Sequence, residues 1–194
     1  MPFASSNQKS VALIFDQICK MSGLALSIPP HPPFPSAQKA FASLGNRTIY
    51  YHFKSKDEII TAVMGVQHLH LLAQYQTWLE PNANTPREIV ISLFAKLKNW
   101  ADSPDWLGSG FSRVSAELAD MRGHPARLAA SRHKKAVEIW LADSFKAAGV
   151  TAADDLAREI MLLIEGSMGL ALIHGETAYI DAAMHAAERL VTEV

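Results

Sequence analysis

Residues 47–58 read RTIYYHFKSKDE, and this stretch places cations, hydroxyls and aromatic rings around the start of one helix. Ser55 is followed three residues later by Glu58, which is the spacing of a capping box, so we expect a helix to begin at Ser55. Lys54 and Lys56 flank that cap. Backbone N–H groups, the positive end of the helix and two ammonium groups therefore converge there, an arrangement typical of phosphate binding.

Charge is distributed unevenly along the chain, although the net charge is only −1. Residues 1–56 hold six cationic and one anionic side chain, a net charge of +5, and the remainder carries −6. A basic front on an acidic body favours a polyanion partner, such as nucleic acid, at the N-terminal side. Chance segregation of surface charge is the alternative.

Length and composition set the class of protein. A chain of 194 residues is one large domain or two small ones. No apolar run approaches the roughly 18 residues of a membrane helix, and the first residues lack the pattern of a signal peptide. One cysteine fits a reducing compartment. We therefore expect a cytoplasmic protein without membrane contact.

Apolar residues recur at helical spacing, first over residues 6–23 and again through most of the chain after residue 55. Helix start signals stand at Thr85 with Glu88, at His124-Pro125, at Thr151 with Asp154 and at Thr177. Gly149 and Gly175 are expected to end two of these helices. Because no strand pattern is present, the sequence predicts an all-α fold.

Residues 24–38 interrupt the helical pattern. Five prolines lie within residues 29–35, which excludes a regular helix and favours extended backbone. We expect this segment to be irregular and mobile.

Residues 47–63, RTIYYHFKSKDEIITAV, resemble the end of the recognition helix and the start of the next helix in the TetR family of transcriptional regulators. The resemblance implies an N-terminal helix-turn-helix head over residues 1–54. It also implies a C-terminal helical bundle over residues 55–194, with a ligand pocket and a dimer interface.

The resemblance implies that the third helix of the head enters the major groove of a double-stranded operator. Thr48 and Tyr50 match positions that usually touch DNA, and the Arg47 guanidinium suits guanine or phosphate. The residues expected at the DNA are Arg47, Thr48, Tyr50, Tyr51, His52, Lys54 and Lys56.

The chain departs from the TetR pattern just before this motif. Gly45 is followed at once by residues 46–48, a turn about two residues shorter than the family pattern, and the proline cluster stands where the family has a helix end and a cap. Two explanations compete for this segment: a local disturbance of the reading frame or natural decay over roughly residues 22–40, or a genuine variant with an extended, mobile arm.

The C-terminal helices carry scattered large side chains that are expected to line a pocket for a small-molecule effector. These are Trp78, Phe94, Trp100, Trp106, Phe111, Met121, Trp140 and Met168. The alternative for each is an ordinary place in the hydrophobic core.

The last two helices each carry an apolar or small-residue stripe, and the resemblance implies that they form a two-fold, four-helix dimer interface. The expected contacts are Ile160, Leu163, Ser167, Ala171, Ala183, Ala186 and Leu190. The alternative is that both stripes pack inside one chain.

Enzymatic chemistry finds little support in the sequence. His68 and His70 are two residues apart and point to different helix faces, so they cannot share a metal. Glu117, Asp120 and His124 could converge near one turn and hold a metal, but the pattern favours a solvated helix end. No nucleophile triad, phosphate loop or dinucleotide motif is present. We therefore expect no catalytic residues, no metal and no cofactor.

Together these observations predict a DNA-binding regulator, a ligand-responsive repressor that acts as a homodimer on a palindromic operator. The alternative is a dimeric helical protein that binds small molecules and carries a degenerate, non-functional DNA-binding head.

Overall fold

The computed structural model describes residues 55–79, 85–104 and 106–192, and throughout these ranges the regular structure is helical. Its helices are α1 (Lys56–Trp78), α2 (Pro86–Ala101), α3 (Gly110–Glu117), α4 (Pro125–Ala147), α5 (Ala153–His174) and α6 (Ala178–Leu190). The predicted all-α fold is confirmed. The helix predicted over residues 6–23, the proline-rich segment and the helix-turn-helix head lie outside the described residues.

Helix starts follow the local chemistry of their caps. The Glu58 N–H donates to Ser55 Oγ at 3.1 Å, which is the predicted cap of α1. At α2 the capping box is complete, because the Glu88 N–H donates to Thr85 Oγ1 and the Thr85 N–H donates to the Glu88 carboxylate. Pro86 is the first residue of α2, where its fixed φ suits the helix and its lack of an N–H avoids an unpaired donor.

Helix α4 begins at Pro125, as predicted, and Gly149 follows its end with a positive φ of 88°. The predicted start of α5 at Thr151 is wrong. Ala152 is the N-cap instead, without a side-chain cap, and the helix begins at Ala153. The end is as predicted, since Gly175 adopts φ 70° and its N–H donates to the Ala171 carbonyl.

The chain divides into two compact units. Unit 1 contains residues 1–69 and 110–130, and unit 2 contains residues 70–109 and 131–194. Helices α1 and α4 contribute residues to both units. The predicted domain boundary after residue 54 stays a prediction.

Unit 2 is built around a hydrophobic core. On α2 the core residues recur at helical spacing, so one face of this helix is buried throughout. Helix α5 packs along α6, and α2 contacts both. The largest fully buried side chains of this core are Val90, Leu93, Phe94, Leu97, Leu141, Phe145, Leu156, Ile160, Ile164, Met168 and Ile180.

Polar contacts fix the register of α2 on α6 within unit 2. Arg87 pairs with Glu188, and Lys98 pairs with Asp181, both at 2.6 Å. The hydrogen bond that Lys98 Nζ donates to Asp181, together with the negative charge of that carboxylate, raises the pKa of the Lys98 amine. Such solvent-accessible pairs contribute little to stability, so the apolar core is the main source of the stability of unit 2.

Among the described residues, no helix has the length and apolar character needed to cross a membrane.

Candidate functional site

The first turn of α1 is the described part of the expected DNA-binding site. Lys56 is the first residue of α1, and its backbone stands directly after the Ser55 cap. A helix start favours a phosphate, because its first N–H groups have no partner within the helix; of these, the Glu58 N–H donates to Ser55 Oγ. The side chain of Lys56 lies outside the described residues, as do Arg47, Thr48, Tyr50, Tyr51, His52 and Lys54.

Unit 1 connects this first turn to the segment between α3 and α4. His124 is buried, and its Nδ1 accepts a hydrogen bond from the Ala126 N–H at 3.1 Å, so the imidazole caps α4. Its Nε2 lies 3.4 Å from Asp57 Oδ1. Each ring nitrogen of His124 therefore has a polar neighbour within the chain, and these contacts give His124 a structural role.

The described residues contain no group of three His, Cys, Asp or Glu side chains arranged for a metal ion. Of the three residues that could converge near one turn, Glu117 and Asp120 are exposed, whereas His124 is buried. Arg127 donates to the Ala119 carbonyl at 2.8 Å, which fixes the turn that follows α3.

Unit 2 contains a ladder of five aromatic rings, in the order Trp140, Tyr75, Trp78, Trp100 and Trp106. Successive ring centroids are 6.2, 4.8, 6.0 and 6.4 Å apart. The Tyr75–Trp78 and Trp100–Trp106 pairs meet edge to face, an arrangement that aromatic quadrupoles favour. The rings come from α1, α2, α4 and the loop between α2 and α3. The ladder therefore brings together four of the predicted pocket residues with Tyr75.

Tyr75 contacts two of the predicted pocket residues but was not itself among the residues predicted from sequence. Its three-residue spacing from Trp78 on one helix was the available signal. The ring is buried, and burial together with the charge on Glu165 raises the pKa of its hydroxyl group. Tyr75 therefore remains neutral at physiological pH.

Beside this ladder, Lys134 and Glu165 form an ion pair at 2.5 Å between α4 and α5. Lys134 Nζ also donates to Ser109 Oγ at 3.0 Å. Burial lowers the pKa of the Lys134 amine, and the adjacent carboxylate opposes that change. Each charge thus has a partner, as buried charges require.

The remaining predicted pocket residues are distributed differently. Phe94 and Met168 are buried in the core of unit 2. Phe111 and Met121 belong to unit 1, where Phe111 is buried and Met121 is 50% exposed.

The predicted dimer residues lie mostly inside the chain. Ile160, Ser167, Ala171 and Ala183 are buried, whereas Leu163, Ala186 and Leu190 are half-buried. A different face of α5 is exposed and apolar, and it carries Leu162 (70% exposed), Gly166, Gly169, Leu170 and Ile173 (74% exposed).

The two glycines on this exposed face have open space around them. A Cβ added at Gly166 or Gly169 would meet no atom within 4 Å in the structure as described. A helix-interior glycine costs roughly 0.5–1 kcal/mol relative to alanine. Packing inside the chain therefore does not explain why glycine stands at either position.

No protein-family model matches the chain, and no curated protein is significantly similar to it. The fold nevertheless matches solved structures of TetR-family transcriptional regulators. The regulator from Cytophaga hutchinsonii is similar with a TM-score of 0.75 at 18% identity, over 100% of this chain and 98% of that chain.

Two further structures give the same result. The TetR-family regulator from Agrobacterium tumefaciens is similar with a TM-score of 0.72 at 17% identity, over 95% of this chain and 98% of that one. The TetR regulator from Legionella pneumophila has a TM-score of 0.69 at 18% identity, over 98% and 100%. The chain therefore has the fold of the TetR-family regulators, and these neighbours are transcriptional regulators rather than enzymes.

Proposed function

We propose that this chain is a cytoplasmic transcriptional repressor that binds a palindromic DNA operator as a homodimer and releases it when a small molecule binds unit 2. The fold likeness carries the proposal. The cap at Ser55, the flanking lysines and the upstream aromatic motif support the DNA-binding part, because this arrangement suits a phosphate backbone.

The aromatic ladder supports the effector part of the proposal. Ligand sites in proteins are lined by apolar and aromatic side chains with a few polar groups that fix orientation. The ladder residues of unit 2 satisfy this description, with the Lys134–Glu165 pair beside them. Trp78, Trp100, Trp106 and Trp140 remain the proposed lining, and Tyr75 joins them.

The exposed apolar face of α5 supports the homodimer. Its two glycines would let a second helix approach closely, and its leucine and isoleucine side chains would be buried by that helix. A two-fold axis beside α5 would repeat every contact and present two heads to two half-sites. The proposed contacts are therefore Leu162, Gly166, Gly169, Leu170 and Ile173, with the half-buried Leu163, Ala186 and Leu190 at their edge.

Binding of the full-length chain to the duplex upstream of its own gene tests the proposal, with a random duplex as the control across a salt series. We expect selective binding whose affinity falls steeply with salt, because phosphate contacts release counterions. Equal, weak binding to both duplexes would favour the alternative, a small-molecule-binding protein with a degenerate DNA-binding head. The proline-rich segment at residues 24–38 is the sequence feature that supports this alternative.

Replacing Lys56 with alanine is expected to weaken binding to every duplex by a similar factor. The slope of log affinity against log salt should fall by about 0.9, the value for one phosphate contact. Lys135→Ala is the matched control, because it removes the same charge from an exposed position on α4. An unchanged salt slope for Lys56→Ala would remove this residue from the DNA contacts.

A further inference from the structure

The loop between α2 and α3 is fixed at both ends within unit 2. Asp102 accepts a hydrogen bond from Thr177 Oγ1 at 2.9 Å, and Ser109 accepts one from Lys134. Gly108 has φ 73°, and a Cβ there would come 2.9 Å from a side-chain atom of α5. These contacts hold the loop so that Trp106 lies against Trp100.

Both of these tryptophans present a buried donor without an acceptor. The Nε1 atoms of Trp100 and Trp106 are buried, and neither finds a hydrogen-bond partner in the described structure. Buried indole N–H groups normally have a partner, because an unpaired buried donor is destabilising. The rings themselves are only half-buried, although their Nε1 atoms are covered.

Helix α1 contributes two more unpaired polar atoms, His70 Nε2 and Gln74 Oε1. These residues are one helical turn apart, and Gln74 is one further turn from Trp78 of the ladder. The four buried, unpaired side-chain atoms found among the described residues therefore all belong to unit 2, on ladder rings or on the face of α1 beside them. Such a concentration indicates a site that is complete only when another molecule is bound.

The surrounding charges indicate a neutral ligand. Glu165, whose charge reaches Tyr75, is already paired with Lys134, which also donates to Ser109. A charged ligand would lose its hydration without gaining a free counter-charge from this pair, which is unfavourable. The unpaired atoms on Trp100 and Trp106 are donors, so they require an acceptor oxygen or nitrogen on the ligand.

We propose that the ladder binds a neutral, planar aromatic compound with a carbonyl oxygen, which accepts hydrogen bonds from the indole N–H groups of Trp100 and Trp106. The ring system of the ligand packs against the tryptophan faces. Gln74 Oε1 accepts from a ligand hydroxyl or N–H where one is present. This inference rests on the proposed function, since it names the chemical class of the effector.

A matched pair of compounds tests the proposal. 9-Fluorenone and fluorene share one planar frame, and only fluorenone has the carbonyl group. The chain contains four tryptophans, and all four belong to the ladder, so its nitrogen-15 spectrum should show four indole N–H signals that Trp→Phe variants can assign. We expect fluorenone to move the Trp100 and Trp106 indole protons downfield and to bind about ten-fold more tightly than fluorene.

Trp106→Phe keeps an aromatic ring and removes the N–H. In this variant, the preference for fluorenone over fluorene should disappear, because the smaller ring weakens the packing of both compounds while only fluorenone loses a hydrogen bond. Trp140→Phe is the comparison variant, because it changes a ladder ring whose N–H is not among the buried unpaired atoms; it should alter the affinities for both compounds by a similar factor and so keep the preference for fluorenone. Equal affinities for the two compounds, or Trp100 and Trp106 signals that do not respond, would overturn the proposal.

The effector site and the proposed function can fail separately. Fluorenone binding by a chain that shows no selective duplex binding would support the site and reject the repressor. Selective duplex binding by a chain that binds neither compound would support the DNA-binding regulator and reject this ligand class.

Discussion

Replacing Leu162 with glutamate should convert the proposed homodimer into a folded monomer. Leu162 is 70% exposed on α5, so a carboxylate there meets water in the single chain and leaves the core intact. In the proposed dimer the same carboxylate would be buried without a partner, which costs several kcal/mol. Because the interface is two-fold, the substitution acts twice in each dimer.

Sedimentation at micromolar concentration measures this change, and circular dichroism checks that the helices remain. Operator affinity should fall at least about 100-fold, because a monomer binds one half-site only. Ile139→Glu is the matched control, since Ile139 is 51% exposed on α4 and receives the same charge. A Leu162→Glu chain that stays dimeric would move the interface away from this face of α5.

Local chemistry explains which helix boundaries the sequence could predict. The Thr85–Glu88 capping box, Pro125 at the first turn of α4 and the glycines after α4 and α5 each depend on a few neighbouring residues. Such signals can be read from sequence because the backbone atoms they satisfy lie within the same turn. The start of α5 was predicted wrongly because Thr151 offers a plausible cap that the chain does not use.

The inward face of α5 could not be read in the same way. Leu162, Leu163 and Ile164 are consecutive, so apolar residues point in several directions around the helix. Ile164 is buried, Leu163 is half-buried and Leu162 is exposed. Periodicity identifies a helix with one apolar stripe, but it cannot choose between two such stripes. Only the packing of α5 on α6 decides the choice.

For the aromatic ladder, the sequence could predict which tryptophans take part but not how they are grouped in space. Large side chains in the C-terminal helices could be named as pocket candidates from sequence. Their grouping could not, because Trp106 reaches the ladder through a loop held by Asp102 and Ser109. These contacts join residues far apart in the chain, and no local pattern encodes them.

Replacing Phe94 with alanine should lower the free energy of unfolding by about 3–5 kcal/mol, the usual cost of removing a large aromatic side chain from a packed core. Phe94 is completely buried on α2 and belongs to the core cluster of unit 2. The cost has two parts, the lost burial of the ring and the cavity that remains. Both are large here because the neighbours Val90, Leu93 and Leu97 are fully buried on the same helix.

Urea unfolding at one fixed protein concentration measures the change, since the stability of a dimer depends on concentration. Phe94→Leu is the graded control and should lose less, because it leaves a smaller cavity. A loss for Phe94→Ala below about 1 kcal/mol would mean that the ring borders space already open to solvent or ligand. Phe94 would then line the pocket, as the sequence predicted, and the effector site would extend from the tryptophan ladder into the core of unit 2.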